Sequence, residues 1–442
     1  MPKIATHNSR YSSQEVENLV LRVATALSKL KLNPEKPIAL HVDISLHGVV
    51  LVLAVIRLGL KVAFCPLREP VSVIKSWLAD LDINILICSK DCEIPSDNKI
   101  KVYDLKNIIS HSFISIINKS NNFISYMRTS GTTSMPKSAL ISFLSHSNSA
   151  LSVSNYFNFN NQQSWALSLP IYHVSGLSII FRAMLQDAEI YIAPDHEALL
   201  GGLKSQAFSH CSVVPAQLKR LLSEDVDIAH LKALIIGGDS LKAKDREQAL
   251  RKGCKLYESY GMCETASMIA VKSSKIISLT TILPHAYIKV NAEHEICVKA
   301  TSLFLGYWSD GKLSQNLCED GFFATGDLAT SESLSNLELI NRKNNRIISG
   351  GENIQAEEIE RILEQHEAIL ECVVVPIADA KMGARPVAFM KWLNEPLCDH
   401  DIYQFLAPKL ASYKFPVRIL SYPPDTPQGL KKPRRWFFNS LN

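Results

Sequence analysis

The chain has 442 residues, 47% hydrophobic and 20% charged, with a formal net charge of +4 and ten cysteines. That length exceeds what one hydrophobic core comfortably serves, so two or more globular domains are expected, and a small, interspersed charge excess argues against nucleic acid as a partner. The cysteines form no CxxC pair and no metal-ligand spacing, the nearest two being Cys88 and Cys92, which predicts reduced thiols and a cytoplasmic setting.

The first twenty residues lack an apolar signal core, and the early run VVLVLAVI (49–56) stops at Arg57. Neither a signal peptide nor a membrane span is expected. Ser12 to Glu15 reads as a capping box, followed by Val16, Leu19, Val20, Val23, Leu27 and Leu30 at helical spacing. PIALHV (37–42) reads as a buried strand, HGVVLVLAVIRLGL (47–60) as a buried helix, and VAFCPL (62–67) as the next strand. A helix around 71–81 and the strand INILIC (83–88) follow. This alternation predicts an α/β fold with parallel strands and crossover helices. It recurs at CSVVPAQLKRLL (211–222) and at LKALIIGGDSL (231–241), where a strand runs into paired glycines.

Beyond about residue 271 short extended pieces alternate with turn residues, which predicts a β-rich subdomain over about 271–340. From Ile354 a charged helix, IQAEEIERILEQH, precedes the strand ECVVVPIAD and a second helix near 400–410. The polar segment NRKNNRIISGGEN (341–353) interrupts the pattern. The domains expected from it are 1–344, a large N-terminal domain, and 345–442, a small α+β C-terminal domain.

Between Arg128 and Ser138 runs RTSGTTSMPKS. Hydroxyls and backbone N–H groups around a glycine can surround a phosphate chain, and a lysine adds charge of the correct sign. A solvated surface loop has the same composition. A strict P-loop is excluded, because Pro136 stands where that motif requires glycine before its lysine. The loop is followed in order by LPIYHVSG (169–176), IIGGDS (235–240), YGMCET (260–265), FATGD (323–327), NRKNNRIISGGENIQAEEIE (341–360) and PDTPQGLKK (424–432). Together these stretches resemble the adenylate-forming superfamily of acyl-CoA synthetases, peptide-synthetase adenylation domains and luciferases. The resemblance implies that family's fold: a large N-terminal domain of parallel and mixed sheets with helices and a β-rich subdomain, and a small mobile α+β C-terminal domain. LPIYHVSGLSIIFR, YGMCETAS and IISGGENI are most similar to the o-succinylbenzoate-CoA ligases of menaquinone synthesis.

The resemblance implies ATP, magnesium and coenzyme A, with a carboxylate attacking the α-phosphorus of ATP; charge neutralisation and alignment dominate such a step. It assigns Thr129, Ser130, Gly131, Thr132, Thr133 and Lys137 to the phosphates, and Glu264 to the magnesium ion, a hard cation suited to carboxylate. Gly237, Gly238 and Asp239 would back the adenine ring, and Tyr260, Gly261 and Met262 would line the adenine slot and acyl pocket. Asp327 would accept both ribose hydroxyl protons, and Arg342 would reach ribose or phosphate. His173 would gate the acid, with Ser175 and Gly176 beside it. Arg182, nine residues on, would pair with the unreacted carboxylate of a dicarboxylic acid. Lys431 would bridge the substrate carboxylate and α-phosphate, and Ser349, Gly350 and Gly351 would approach the pantetheine arm once the tail domain rotates. Taken singly, each residue also has an ordinary reading: Glu264 a solvated helix end, His173 a satisfied structural residue, Arg182 a surface arginine, and Lys431 to Arg435 a solvated basic end.

Several positions depart from the family pattern. Ser134 and Ser138 replace glycines, Cys263 replaces threonine, Asn341 replaces the glycine before Arg342, and Asn344 occupies the hinge position. A leucine inserted in GLKKPRR leaves the catalytic register open between Lys431 and Lys432. The function expected is an ATP- and magnesium-dependent acid-CoA ligase working through an acyl adenylate, with o-succinylbenzoate the foremost acid. Another aryl or fatty acid ligase, a carrier-loading enzyme, and a catalytically weakened nucleotide-binding protein stay open as alternatives. Retention of Glu264, Asp327, Arg342 and Lys431 argues against the last. The partners expected are a small carboxylic acid, ATP and coenzyme A, without nucleic acid or a membrane span; a homodimer is left open.

Overall fold

In the computed structural model the capping box closes in both directions. Ser12 Oγ accepts from the Glu15 N–H, and Glu15 Oε2 accepts from the Ser12 N–H at 2.8 Å, starting the helix Ser13–Lys29. The structure describes residues 1–66, 71–90, 94–109, 119–129, 137–238, 241–274, 280–309, 311–315, 317–329, 339–342, 345–349, 352–379, 382–427 and 434–441; at 339–342, 346, 348, 352, 353 and 435 it describes the backbone alone. The chain packs as two compact units, Met1–Tyr287 with Lys299–Gly321, and Ile288–Val298 with Phe322–Asn442. This division follows the packing of the small sheets, whereas the boundary at 344/345 marks where polar residues break the sequence pattern.

The first unit is α/β as its alternation predicts. One sheet sets Ile38–His41, Lys61–Phe64, Ile85–Cys88, Lys101–Asp104 and Ile124–Arg128 parallel, then turns antiparallel through Ser138–Ser142, Gly306–Ser309 and Lys312–Ser314. The other joins parallel strands Glu189–Ile192, Ser164–Leu167, His210–Val213, Ala233–Ile236 and Leu256–Met262, and continues antiparallel into Ser267–Ser273. The apolar run read as a buried helix is the helix Leu46–Leu58, with every residue from Gly48 to Ile56 buried; being apolar all round, it can be stable only with protein on all sides. Among the described residues no helix is long and apolar enough to cross a membrane. The helix Phe143–Tyr156 is tied to the first sheet by His146, whose Nε2 lies 2.7 Å from Ser125 Oγ and whose ring stacks on Phe181 at 4.5 Å. Burial pushes the His146 pKa down to about 3, so this imidazole stays neutral at physiological pH.

In the second unit, Phe323–Ala329 pairs with Glu295–Ala300 and with Leu339–Arg342. A further sheet combines Glu352–Gln355, Arg346–Ser349, Gly383–Trp392, Ile369–Asp379 and Arg418–Ser421, covered by the helices Ala356–Leu363 and Asp399–Leu406. Ile354 and Gln355, read from sequence as the start of the charged helix, are instead the end of a strand.

Arg434, read as one member of a solvated basic end, is an internal ion-pair partner. Its Nη2 donates to Glu360 Oε2 at 3.0 Å, and its Nη1 also reaches Glu360 and the Val374 carbonyl. The Glu360 side chain is only 3% exposed, and its carboxylate further accepts from the Val374 N–H. Removing one partner of such a pair strands a buried charge, at a cost of about 3–5 kcal/mol. Arg434→Met is therefore expected to lower the stability of the second unit by that amount in urea denaturation, and an unchanged midpoint would contradict the assignment.

Candidate active site

The strands Ile124–Arg128 and Ser138–Ser142 run antiparallel with Arg128 opposite Ser138, so the hydroxyl-rich segment joining them starts and ends at one place. Thr129 closes the neck: its backbone N–H and its Oγ1 both donate to the Lys137 carbonyl, at 3.0 and 3.1 Å. Ser130, Gly131, Thr132, Thr133 and Ser134 lie outside the described residues. Ser138 is 1% exposed and its Oγ accepts from Trp77 Nε1 at 2.9 Å. The hydroxyl that replaces a family glycine here is thus absorbed by the core.

Lys137 Nζ stands 5.4 Å from the centroid of the Tyr307 ring, and Tyr307 Oη donates to Glu264 Oε1 at 2.6 Å. Three chain segments therefore meet: the end of the loop, the turn after Leu256–Met262, and the strand Gly306–Ser309. Sheet pairing brings the third in, since Tyr307 lies opposite Ala139. Glu264 sits on the 3₁₀ turn Cys263–Thr265, half-buried. Thr265 Oγ1 accepts from the Met262 N–H at 3.0 Å and donates to the Ser267 carbonyl at 2.7 Å, which folds the turn back onto its own strand. Gly261 is required there: a Cβ would come within 2.1 Å of the Ser267 carbonyl oxygen. Among the described residues no group of three His, Cys, Asp or Glu side chains could hold a metal. A single accessible carboxylate beside a lysine suits magnesium, which is commonly held by one or two carboxylates together with phosphate oxygens and water.

His173 is the exposed residue that begins the helix Val174–Leu185, its ring 4.6 Å from that of Tyr172. Gly176 permits the first turn to press on the preceding chain, because a Cβ would lie 2.3 Å from the Pro170 carbonyl oxygen and 2.5 Å from that of Leu169. The PxxHxxG spacing is thus a packing requirement as well as a motif. Ser175 is half-buried on the same turn, its carbonyl accepting from Ser178 Oγ. Arg182 is no surface arginine: it is 1% exposed, two turns further along the same helix. Its Nη2 donates to Ser267 Oγ at 2.9 Å, its Cζ lies 4.6 Å from the Trp165 ring centroid, and its Nε is buried without a partner among the described residues. No carboxylate among the described residues pairs with it. Burial pushes its pKa down to about 9, so it remains a cation at neutral pH. Ser267, in turn, is the cross-strand neighbour of Met262.

At the end of Ala233–Ile236, Gly237 donates to the Val213 carbonyl and Gly238 takes φ +86°; Asp239 lies outside the described residues. Tyr260 is half-buried at a register shift in its strand. In the second unit, Asp327 is 7% exposed and lies directly opposite Arg342 on the adjacent strand, so the two residues assigned to the ribose are cross-strand neighbours. Ser349 is buried with its Oγ lacking a partner among the described residues. Gly350, Gly351, Asn344, Lys431 and Lys432 lie outside the described residues.

Tyr307 and Trp165 were not legible as site residues, because each joins the site through contacts distant in sequence. Ser267 closes the stretch YGMCETAS, but its bond to Arg182 spans 85 residues.

Residues 2–308 match the AMP-binding enzyme family, and residues 358–429 match the AMP-binding enzyme C-terminal domain. The 2-succinylbenzoate–CoA ligase of Escherichia coli (strain K12) is 34% identical over 304 residues, which cover 68% of this chain and 65% of that relative, just under two thirds of its length. A solved point variant of E. coli MenE with bound OSB-AMS is 26% identical, covers 100% of this chain and 95% of its own, and has a TM-score of 0.86. MenE from Bacillus subtilis in complex with the acyl-adenylate intermediate OSB-AMP is 23% identical with a TM-score of 0.89, over 98% of this chain and 94% of its own, a likeness of fold. The expected fold class, large α/β sheets followed by a smaller C-terminal domain, is the one found. The chain belongs to the AMP-binding enzyme family, within the adenylate-forming superfamily.

Proposed function

We propose that this chain is an AMP-forming acid-CoA ligase that uses ATP, magnesium and coenzyme A, with o-succinylbenzoate as its acid. The observation that carries the acid assignment is Arg182. A buried cation with no counter-ion among the described residues, hydrogen-bonded to the neighbour of Met262, is a receptor for an anionic group that the reaction leaves untouched. A dicarboxylic acid supplies one. The 2-succinylbenzoate–CoA ligase relative and the MenE structure with OSB-AMS support the same reading.

In the first half-reaction an oxygen of the substrate carboxylate forms a bond to the α-phosphorus of ATP, and the bond to the bridging oxygen breaks, releasing pyrophosphate. Thr129 and Lys137, at the neck of the loop, hold the departing phosphates with the loop residues between them, and Lys137 supplies positive charge. Glu264, oriented by the Tyr307 hydroxyl, would hold the magnesium ion, which would supply neutralisation of phosphate charge. Lys431 stabilises charge on the reacting phosphoryl group. Gly237, Gly238 and Asp239 back the adenine, and Asp327 and Arg342 take the ribose. In the second half-reaction the coenzyme A sulfur bonds to the acyl carbon, AMP leaves, and Ser349, Gly350 and Gly351 line the approach after rotation about a hinge near 344/345. The setting is cytoplasmic.

The test is pyrophosphate release by the purified chain with ATP, magnesium and coenzyme A, with and without o-succinylbenzoate, alongside detection of the thioester. Acid-dependent release with its thioester supports both class and substrate. Release only with other acids would overturn the substrate, and silence across a panel of acids would overturn the ligase.

A further inference from the structure

A buried charge needs something to hold it, and among the described residues no acid does this for Arg182. Its guanidinium donates to Ser267 Oγ, and that hydroxyl donates onward to Ser178 Oγ at 3.4 Å. Serine hydroxyls rotate to suit their partners, so this relay leaves the plane of a long side chain undetermined.

A ring supplies the missing constraint. Arg182 Cζ stands over the Trp165 indole, 4.6 Å from its centroid, and Trp165 is itself fixed. It is 0% exposed, its Nε1 donates to Ser212 Oγ at 3.1 Å, and Phe159 meets it edge-on at 5.1 Å. His210, its cross-strand partner, stacks on it at 5.0 Å and 26°, with Nε2 donating to the Phe157 carbonyl at 3.3 Å. Burial, joined by the charges of Lys232 and Arg182, pushes the His210 pKa down to about 4. The imidazole is therefore neutral at physiological pH and sets no second cation against the indole that carries the first.

The negative face of an indole steadies a desolvated cation, and a guanidinium lies flat on such a face. A protein carboxylate in that place would also occupy the fork and cancel the charge that a ligand has to meet. The ring supports the charge without neutralising it.

We infer that Trp165 is the positioning residue that makes Arg182 selective for an acid with a second carboxylate, holding the guanidinium plane and leaving its fork open. This rests on the reading of Arg182 as the receptor for that carboxylate. Trp165 touches no substrate in this role; it acts through Arg182, and His210 backs it.

The experiment measures kcat and KM for o-succinylbenzoate and for benzoate in the full chain, with Trp165→Leu, Trp165→Phe and Arg182→Met side by side. Trp165→Leu is expected to raise KM for o-succinylbenzoate by about 10-fold, the scale of a lost desolvated cation–π contact, while kcat and the benzoate KM move far less. Trp165→Phe keeps an aromatic face and recovers most of that loss. In the Arg182→Met background Trp165→Leu costs o-succinylbenzoate nothing further, because the cation it holds is gone. A chain grown on monofluorinated tryptophan keeps the ring's shape and weakens its face, and it decides the matter if the leucine variant does not fold. Its KM for o-succinylbenzoate is expected to rise by about 2- to 3-fold, and the rise to vanish with Trp165→Phe, although the rest of the five tryptophans still carry fluorine. Equal rises for both acids, or a fluorinated chain that matches the wild type, overturn the inference. If Arg182→Met separates the two acids and the Trp165 variants do not, this inference alone falls. If Arg182→Met does not separate them, the receptor reading falls and this inference with it.

Discussion

Replacing Lys431 by alanine is expected to lower acid-dependent pyrophosphate release by about 10²- to 10³-fold, the scale of losing one preorganised charge at a transition state, while thioester formation from supplied adenylate stays close to wild type. The split is the informative part. In adenylation an anionic carboxylate approaches an anionic phosphate, and a nearby ammonium is worth most when charge builds between them. The thioester step breaks the acyl–phosphate bond that already exists, and the proposed mechanism withdraws this lysine before it. Equal losses in both half-reactions would remove Lys431 from the role. Lys432→Ala is the companion measurement, because the inserted leucine leaves the register open between the two lysines. Arg434, three residues beyond Lys431, is anchored by its ion pair with Glu360, so either lysine can be changed without disturbing that anchor.

Removing the charge of Arg182 is expected to separate dicarboxylic from monocarboxylic acids. A hydrogen bond to a charged group contributes about 1.5–3 kcal/mol, so Arg182→Met should lower kcat/KM for o-succinylbenzoate by about 10- to 100-fold. Methionine keeps much of the side-chain volume and the apolar contact with Trp165, which limits damage to the core. With benzoate, which has no second carboxylate, the same variant should lose little. If both acids fall alike, Arg182 serves packing alone. Arg182→Lys is expected to recover only part of the difference, because a point charge cannot reproduce the planar fork that spans Ser267 Oγ and a carboxylate.

Much of the fold was legible because it rests on local rules. The capping box at Ser12 and Glu15, the uninterrupted apolar run at residues 49–56 and the strand-to-glycine step at 233–238 are decided by neighbours in the chain. The hydroxyls and lysine of the 128–138 loop were legible for a different reason: they are residue types that packing alone does not require there, although the motif glycines at 176 and 261 are packing requirements as well. What was misjudged had its explanation elsewhere in the chain. Ser138 looked like a lost glycine at the phosphates, yet its hydroxyl is bonded to Trp77, 61 residues away. Arg434 looked like part of a solvated charge run, yet it pairs with Glu360, 74 residues away.

By itself the sequence determined the alternation of strands and helices and the family, and with it the residues that the resemblance assigns to phosphate, ribose and acid, because spacing and residue chemistry are properties of the linear chain. Only the tertiary structure decided that Tyr307 orients Glu264 across 43 residues, and that Arg182 is a buried cation held by Ser267 across 85. Burial and pairing depend on which strands become neighbours in a sheet, and that register is set by the packing of the whole core.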